Sequence, residues 1–139
     1  MQIVIVGLDA LLAALGEWPE IIRPRLHDAA EAALLSLRDP LGTYPEPPSD
    51  SRYRRTYTLG RGWSESVPEF SPEASGFEAE IGNPTPYGPY VQDADTQAAV
   101  HQGRWKTIQA IAEQNTEVIE EYFEVALELT VRDIEAKVK

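Results

Sequence analysis

The hydrophobic positions change their spacing twice along the chain, dividing it into helical ends and an irregular middle. Ile3, Val4, Ile5 and Val6 form a β-branched apolar run that reads as a short strand or an extended arm, broken by Gly7. Leu8, Leu11, Leu12 and Leu15 then recur at spacings of three and four, one helical face opened by Asp9 and ended at Gly16, before Trp18 and Pro19 restart the chain. Leu26, Ala30, Ala33, Leu34 and Leu37 share a face, which predicts a second helix over 24–38, stopped by Pro40; its alanines permit close packing against another helix.

The middle loses this period. Residues 39–51 combine four prolines with small polar residues, so neither a helix nor a central strand is expected there, and 39–55 is read as an extended loop or arm. A basic, aromatic stretch follows to Trp63, with a glycine-flanked turn leading into an expected strand over 63–67. Phe77, Ala79 and Ile81 alternate with Glu78 and Glu80, the period of a strand with one buried face, and 71–76 can turn between the two strands of an antiparallel hairpin. After an irregular run over 84–91 and a loop over 93–103, helical spacing resumes at Trp105, Ile108 and Ala112. Asn115 or Thr116 can cap a long final helix reaching about Ala136, whose stripe of Ile119, Tyr122, Phe123, Ala126, Leu129 and Ile134 is wide enough to pack on a sheet and also on a neighbouring subunit. The expected fold is α+β: one domain over 1–139, with N-terminal helices and a long C-terminal helix packed on a small, mostly antiparallel sheet.

Length and composition agree with a single soluble domain. At 139 residues a domain buries roughly 70% of the surface its unfolded chain exposes. Nine of the eleven prolines lie between Pro40 and Pro89, which reinforces the irregular middle. A net charge of -11 has the wrong sign for broad contact with a phosphate backbone. The charge is uneven: residues 1–62 carry 8 acids and 7 bases, whereas 63–139 carry 15 acids and 5 bases. Without cysteine there are no disulfides, thiolate zinc sites or thiol nucleophiles. The N-terminal apolar run is too short to span a bilayer and has no basic flank, so synthesis in the cytosol is expected.

Little in the sequence points to catalysis. His27 and His101 lack the neighbours of a Ser/His/Asp or metal-ligand pattern, and pairs such as Asp93 with Asp95 or Glu120 with Glu121 lack a calcium-loop pattern. Gly60-Arg61-Gly62 lacks the third glycine of a dinucleotide-binding turn. No enzyme, cofactor or metal is therefore expected. The chemistry that stands out is Arg52, Arg54, Arg55 and Arg61 within ten residues, interleaved with Tyr53, Tyr57 and Trp63. That is the composition of a nucleic-acid patch or of a protein interface, and in an acidic chain the interface is favoured, with partner carboxylates as ligands for the guanidinium groups. Neutralisation of the chain's own glutamates is the plainer alternative.

Four segments, taken in order, resemble the small tail-completion and neck proteins of tailed bacteriophages. Residues 6–15 with the alanine-rich 29–37 look like that family's start. Residues 55–63 look like its R-T-G-x-L-x-x-S-W segment, residues 81–92 like its V-x-N-x-x-x-Y-A-x-Y-V segment, and 97–105 like the Gln/His stretch before a tryptophan. Tyr57 stands where the family usually has glycine, Gly62 where it often has serine, and Gly88 where alanine is usual. The resemblance implies a structural virion protein at the head–tail junction, assembled in the host cytoplasm as a ring of six or twelve copies. Its partners would be adjacent head-completion or adaptor proteins and tail-terminator or tail-tube proteins, with DNA only as passing cargo and no membrane. On this reading Arg52, Arg54, Arg55, Arg61, Tyr87 and Tyr90 are subunit-interface candidates. The runner-up is a soluble non-enzymatic adaptor or immunity-type interaction protein.

Overall fold

Alternation at the third strand builds the sheet. The computed structural model describes residues 1–7, 19–52, 54–71 and 77–138, without the side chains of Val6, Pro19 and Phe77. The leucine-rich face of 8–16, Tyr53, the turn after Ser71 and the expected core place of the Phe77 side chain lie outside the described residues. Strands β1 (Gln2–Gly7), β2 (Glu69–Ser71) and β3 (Phe77–Gly82) form an antiparallel sheet in the order β1-β3-β2. Ile3 pairs with Ile81, Ile5 with Ala79 and Phe70 with Ala79, which sets the apolar residues on one face. The other face carries Glu69 opposite Glu80 and Ser71 opposite Glu78. The hairpin partner of β3 is thus 69–71, not the expected 63–67.

Residues 58–64 are helical instead. Helices α1 (Pro19–Ser36), α2 (Arg38–Leu41), α3 (Thr58–Ser64), α4 (Gly88–Gln92), α5 (Ile108–Gln114) and α6 (Thr116–Val138) accompany the sheet, with a 3₁₀ turn at Ala99–His101 inside the expected loop. Leu59 and Trp63, four apart, both point into the core from α3, and this helical spacing outweighs the glycines that suggested a turn. Helix α1 starts five residues before the expected position, with Pro24 inside its first turns. Pro40 does not end the helical run either, because it falls early in α2, where its missing N–H would be unused.

The expected cap of the last helix also differs. Asn115 Nδ2 donates to the Ile111 carbonyl (2.7 Å) and Thr116 Oγ1 to the Ala112 carbonyl (3.1 Å), so both side chains bond backwards into α5. Helix α5 has its own cap, Thr107 Oγ1 accepting from the Ala110 N–H at 3.1 Å.

The fold is α+β, but α6 does not lie directly along the sheet. It packs chiefly along α1 and touches α5, and these two helices contact the strands. Leu34, Leu37, Leu41, Trp63, Ala79 and Ile81 share one core, against which Ile119 and Phe123 of α6 also pack. Arg25 and Asp133 tie α1 to α6 through two hydrogen bonds of 2.9 and 3.2 Å. This bond raises the pKa of Arg25 and lowers that of Asp133. Among the described residues no helix is long and apolar enough to cross a membrane.

Candidate functional site

The two central segments singled out in the sequence interlock. Asn83, just past β3, donates from Nδ2 to the Leu59 carbonyl (2.8 Å), while its Oδ1 accepts the Thr85 N–H (3.0 Å). Trp63 donates from Nε1 to Gln92 Oε1 (2.8 Å), and Gln92 donates from Nε2 to the Leu41 carbonyl (2.9 Å). Trp63 and Gln92 are fully enclosed, so these polar groups are satisfied only by one another and by the backbone. Helix α3 is therefore held against α2, α4 and the end of β3.

Beside this lock lies a groove of about 450 Å³ whose walls include Pro47, Pro48, Tyr57, Tyr87, Val100 and Arg104. Its floor starts from Tyr44, whose hydroxyl accepts the Gly60 N–H at 2.8 Å. A Cβ at residue 60 would lie 2.9 Å from the Tyr44 ring, so glycine is what lets the ring approach. Tyr57 and Trp105 meet Tyr44 edge-on, with centroids 5.1 and 4.9 Å away. The Arg55 guanidinium sits 5.3 Å from the Tyr44 centroid and 5.9 Å from that of Trp105, and donates to the Pro45 carbonyl. Arg104 donates to the Glu46 carbonyl (3.1 Å). The base of the proline-rich arm is thus strapped down by two arginines, while 46–52 stays exposed.

On the far wall, Gln97 Nε2 donates to the carbonyls of Val91 (2.7 Å) and Trp105 (3.1 Å), holding the 3₁₀ turn in place. His101 Nδ1 is buried there without a hydrogen-bond partner. Burial first, and then the charge of Arg104, hold the His101 pKa below the ordinary imidazole value. An aromatic floor, a proline wall and guanidinium groups suit an extended or ring-bearing segment of another protein. His27, Asp28 and Glu31 on α1 come close enough together for a cation, but His27 and Asp28 are exposed, and His27 stacks on Phe70 at 3.8 Å.

Of the six interface candidates, Arg55 and Tyr87 line the groove. Arg52, Arg54 and Arg61 are exposed outside it, Arg61 reaching the Thr56 carbonyl at 3.4 Å, and Tyr90 is 60% exposed on α4. Arg55 is a half-buried strut rather than a free rim charge. Tyr44, Arg104 and Gln92 were not singled out from the sequence. Tyr44 lies in a proline-rich run that masks it as loop, and nothing in spacing joins Gln92 to Trp63 across 29 residues. No family model, curated protein or solved structure matches this chain.

Proposed function

We propose that this chain is a structural virion component of a tailed phage or prophage that forms a ring at the head–tail junction. One observation carries the reading. Tyr57 has φ 60°, the only non-glycine residue in left-handed backbone among the described residues, and it stands where the resembling family usually has glycine. A sequence pattern drawn from that family thus asks for glycine where the backbone has independent need of it.

The ring would join unlike faces, as a head-to-tail interface requires. One face carries the exposed Arg52, Arg54 and Arg61 around the aromatic groove. The other is an open concavity of about 540 Å³ lined by Glu65, Glu69, Glu80 and Val67, and Val67 is 69% exposed. Arginine forks on these carboxylates, with Val67 against an aromatic residue, would set the register between neighbours. The reading involves no catalysis and no cofactor.

The test is sedimentation of the purified chain with electron microscopy of phage particles carrying it. Rings that weaken in high salt, and in the Arg52→Glu/Arg54→Glu/Arg61→Glu variant, are expected, with the protein located between portal and tail. A chain that stays monomeric at every concentration and is missing from particles would favour the soluble adaptor instead.

A further inference from the structure

Helix α6 presents three distinct faces. Ile119, Phe123, Ala126 and Thr130 turn inward, the last two less than 5% exposed. Val118, Tyr122, Val125 and Leu129, one step round the helix, line an open groove of about 490 Å³ whose opposite wall is Ala29 and Ala32 of α1. Val118 is 41% and Val125 53% exposed, so the groove is apolar and no described residue covers it. The alanines make its far wall low, which lets a third helix settle between α1 and α6. From Val118 to Leu129 the helix rises about 16 Å, roughly three turns.

Along one margin of the groove runs a ridge of Glu117, Glu121, Glu124 and Glu128, spaced by four, three and four residues. Among the described residues, no lysine or arginine lies within ion-pair distance of these carboxylates. Like charges at this spacing repel one another along the helix, a cost that a cationic partner would remove.

We propose that the α1/α6 groove binds an amphipathic helix of a different protein, with apolar residues at three- and four-residue spacing and lysine or arginine along the flank that meets the glutamate ridge. Charge decides against a second copy of this chain. The same face of a copy offers Arg25, which is already engaged with Asp133, and Arg132, four residues beyond Glu128, so two cations would meet the four glutamates of the ridge. The proposal does not depend on the ring reading, because it concerns a surface remote in sequence from the arginine cluster.

The probe is a synthetic amphipathic peptide of about 18 residues, five turns, with leucines on one face and lysines on the flanks, beside a twin with glutamate flanks. Anisotropy of the labelled peptides against the full chain should give at least about tenfold tighter binding of the lysine form, weakening with salt. Glu121→Lys/Glu124→Lys, which leaves two glutamates beside two lysines on the ridge, should erase the preference, and Val125→Asp should abolish binding. All three positions are exposed, so circular dichroism should report an unchanged fold. Equal binding of the two peptides, or none, overturns the proposal. So does a parent dimer that Val125→Asp dissolves, which would put a second copy in the groove. A monomeric Val125→Cys variant that resists maleimide while folded would mean that the chain covers the groove itself, and would overturn the proposal equally.

Discussion

The Asn83 side chain lies flat against the backbone of Gly62, so that a Cβ at residue 62 would stand 2.3 Å from Asn83 Oδ1 and 2.7 Å from Cγ. Asn83 cannot swing aside cheaply, because both ends of its buried amide are bonded, to the Leu59 carbonyl and the Thr85 N–H. Any side chain at 62 must either break those bonds or push α3 away from β3.

Gly62→Ser should therefore destabilise the domain by about 2–4 kcal/mol, the sum expected of overpacking and a disrupted buried amide. Chemical denaturation of the variant beside the parent measures this. The double variant Gly62→Ser/Asn83→Ala should recover part of the loss, since removing the amide clears the space. Additive losses in the double variant would mean that the two residues do not meet.

Tyr57 allows a cleaner test of backbone strain. Alanine and glycine at 57 both delete the ring and its edge contact with Tyr44, but only glycine tolerates φ 60° at no steric cost. Tyr57→Gly should be more stable than Tyr57→Ala by about 1 kcal/mol, read as a higher thermal midpoint. Equal midpoints would show that the turn relaxes out of the left-handed region.

The sequence disclosed the strands and long helices because their periods are local. Ile3 to Val6 and the alternation from Phe77 to Ile81 sit in paired strands, and the stripes beginning at Leu26 and Ile119 sit on α1 and α6. It misled at 58–64, where Gly60 and Gly62 read as turn residues. Both are glycine because a neighbouring side chain presses on the helix: Tyr44 on residue 60 and Asn83 on residue 62. Such reasons are long-range and leave no spacing to read. The groove was only half legible for the same cause. Its arginine and tyrosine were visible as composition, whereas Tyr44, Arg104 and Trp105 join Arg55 through the course of the arm.

Arg55 is expected to control that arm. Arg55→Ala loses the bond to the Pro45 carbonyl and the contacts over Tyr44 and Trp105, together worth about 1–2 kcal/mol. Trypsin should then cut after Arg52 and Arg54 several-fold faster than in the parent, while far-ultraviolet circular dichroism stays the same. Unchanged cleavage rates would assign the strapping to the Arg104 bond with Glu46 alone.

His101 gives the domain a dependence on pH with a defined sign. Its imidazole is held below its ordinary pKa by burial and by Arg104, so the folded chain favours the neutral ring. As pH falls through about 6.5, the unfolded chain takes up a proton first. Stability from this residue is therefore complete above that value, declines as pH drops toward the folded pKa, and levels off below it. Asp133 has a lowered pKa, so its own contribution disappears only in more acidic solution and does not overlap this window. Thermal midpoints at about pH 7.5 and about pH 5.5, on either side of the unfolded value, isolate the effect when parent and His101→Gln are compared. The parent should lose more stability than the variant on acidification, and the difference between them carries the His101 term because every other side chain is common to both. If the two proteins lose stability equally, the ring takes up its proton as readily in the folded chain as in the unfolded one, and the unpartnered Nδ1 must then find an acceptor or water when charged.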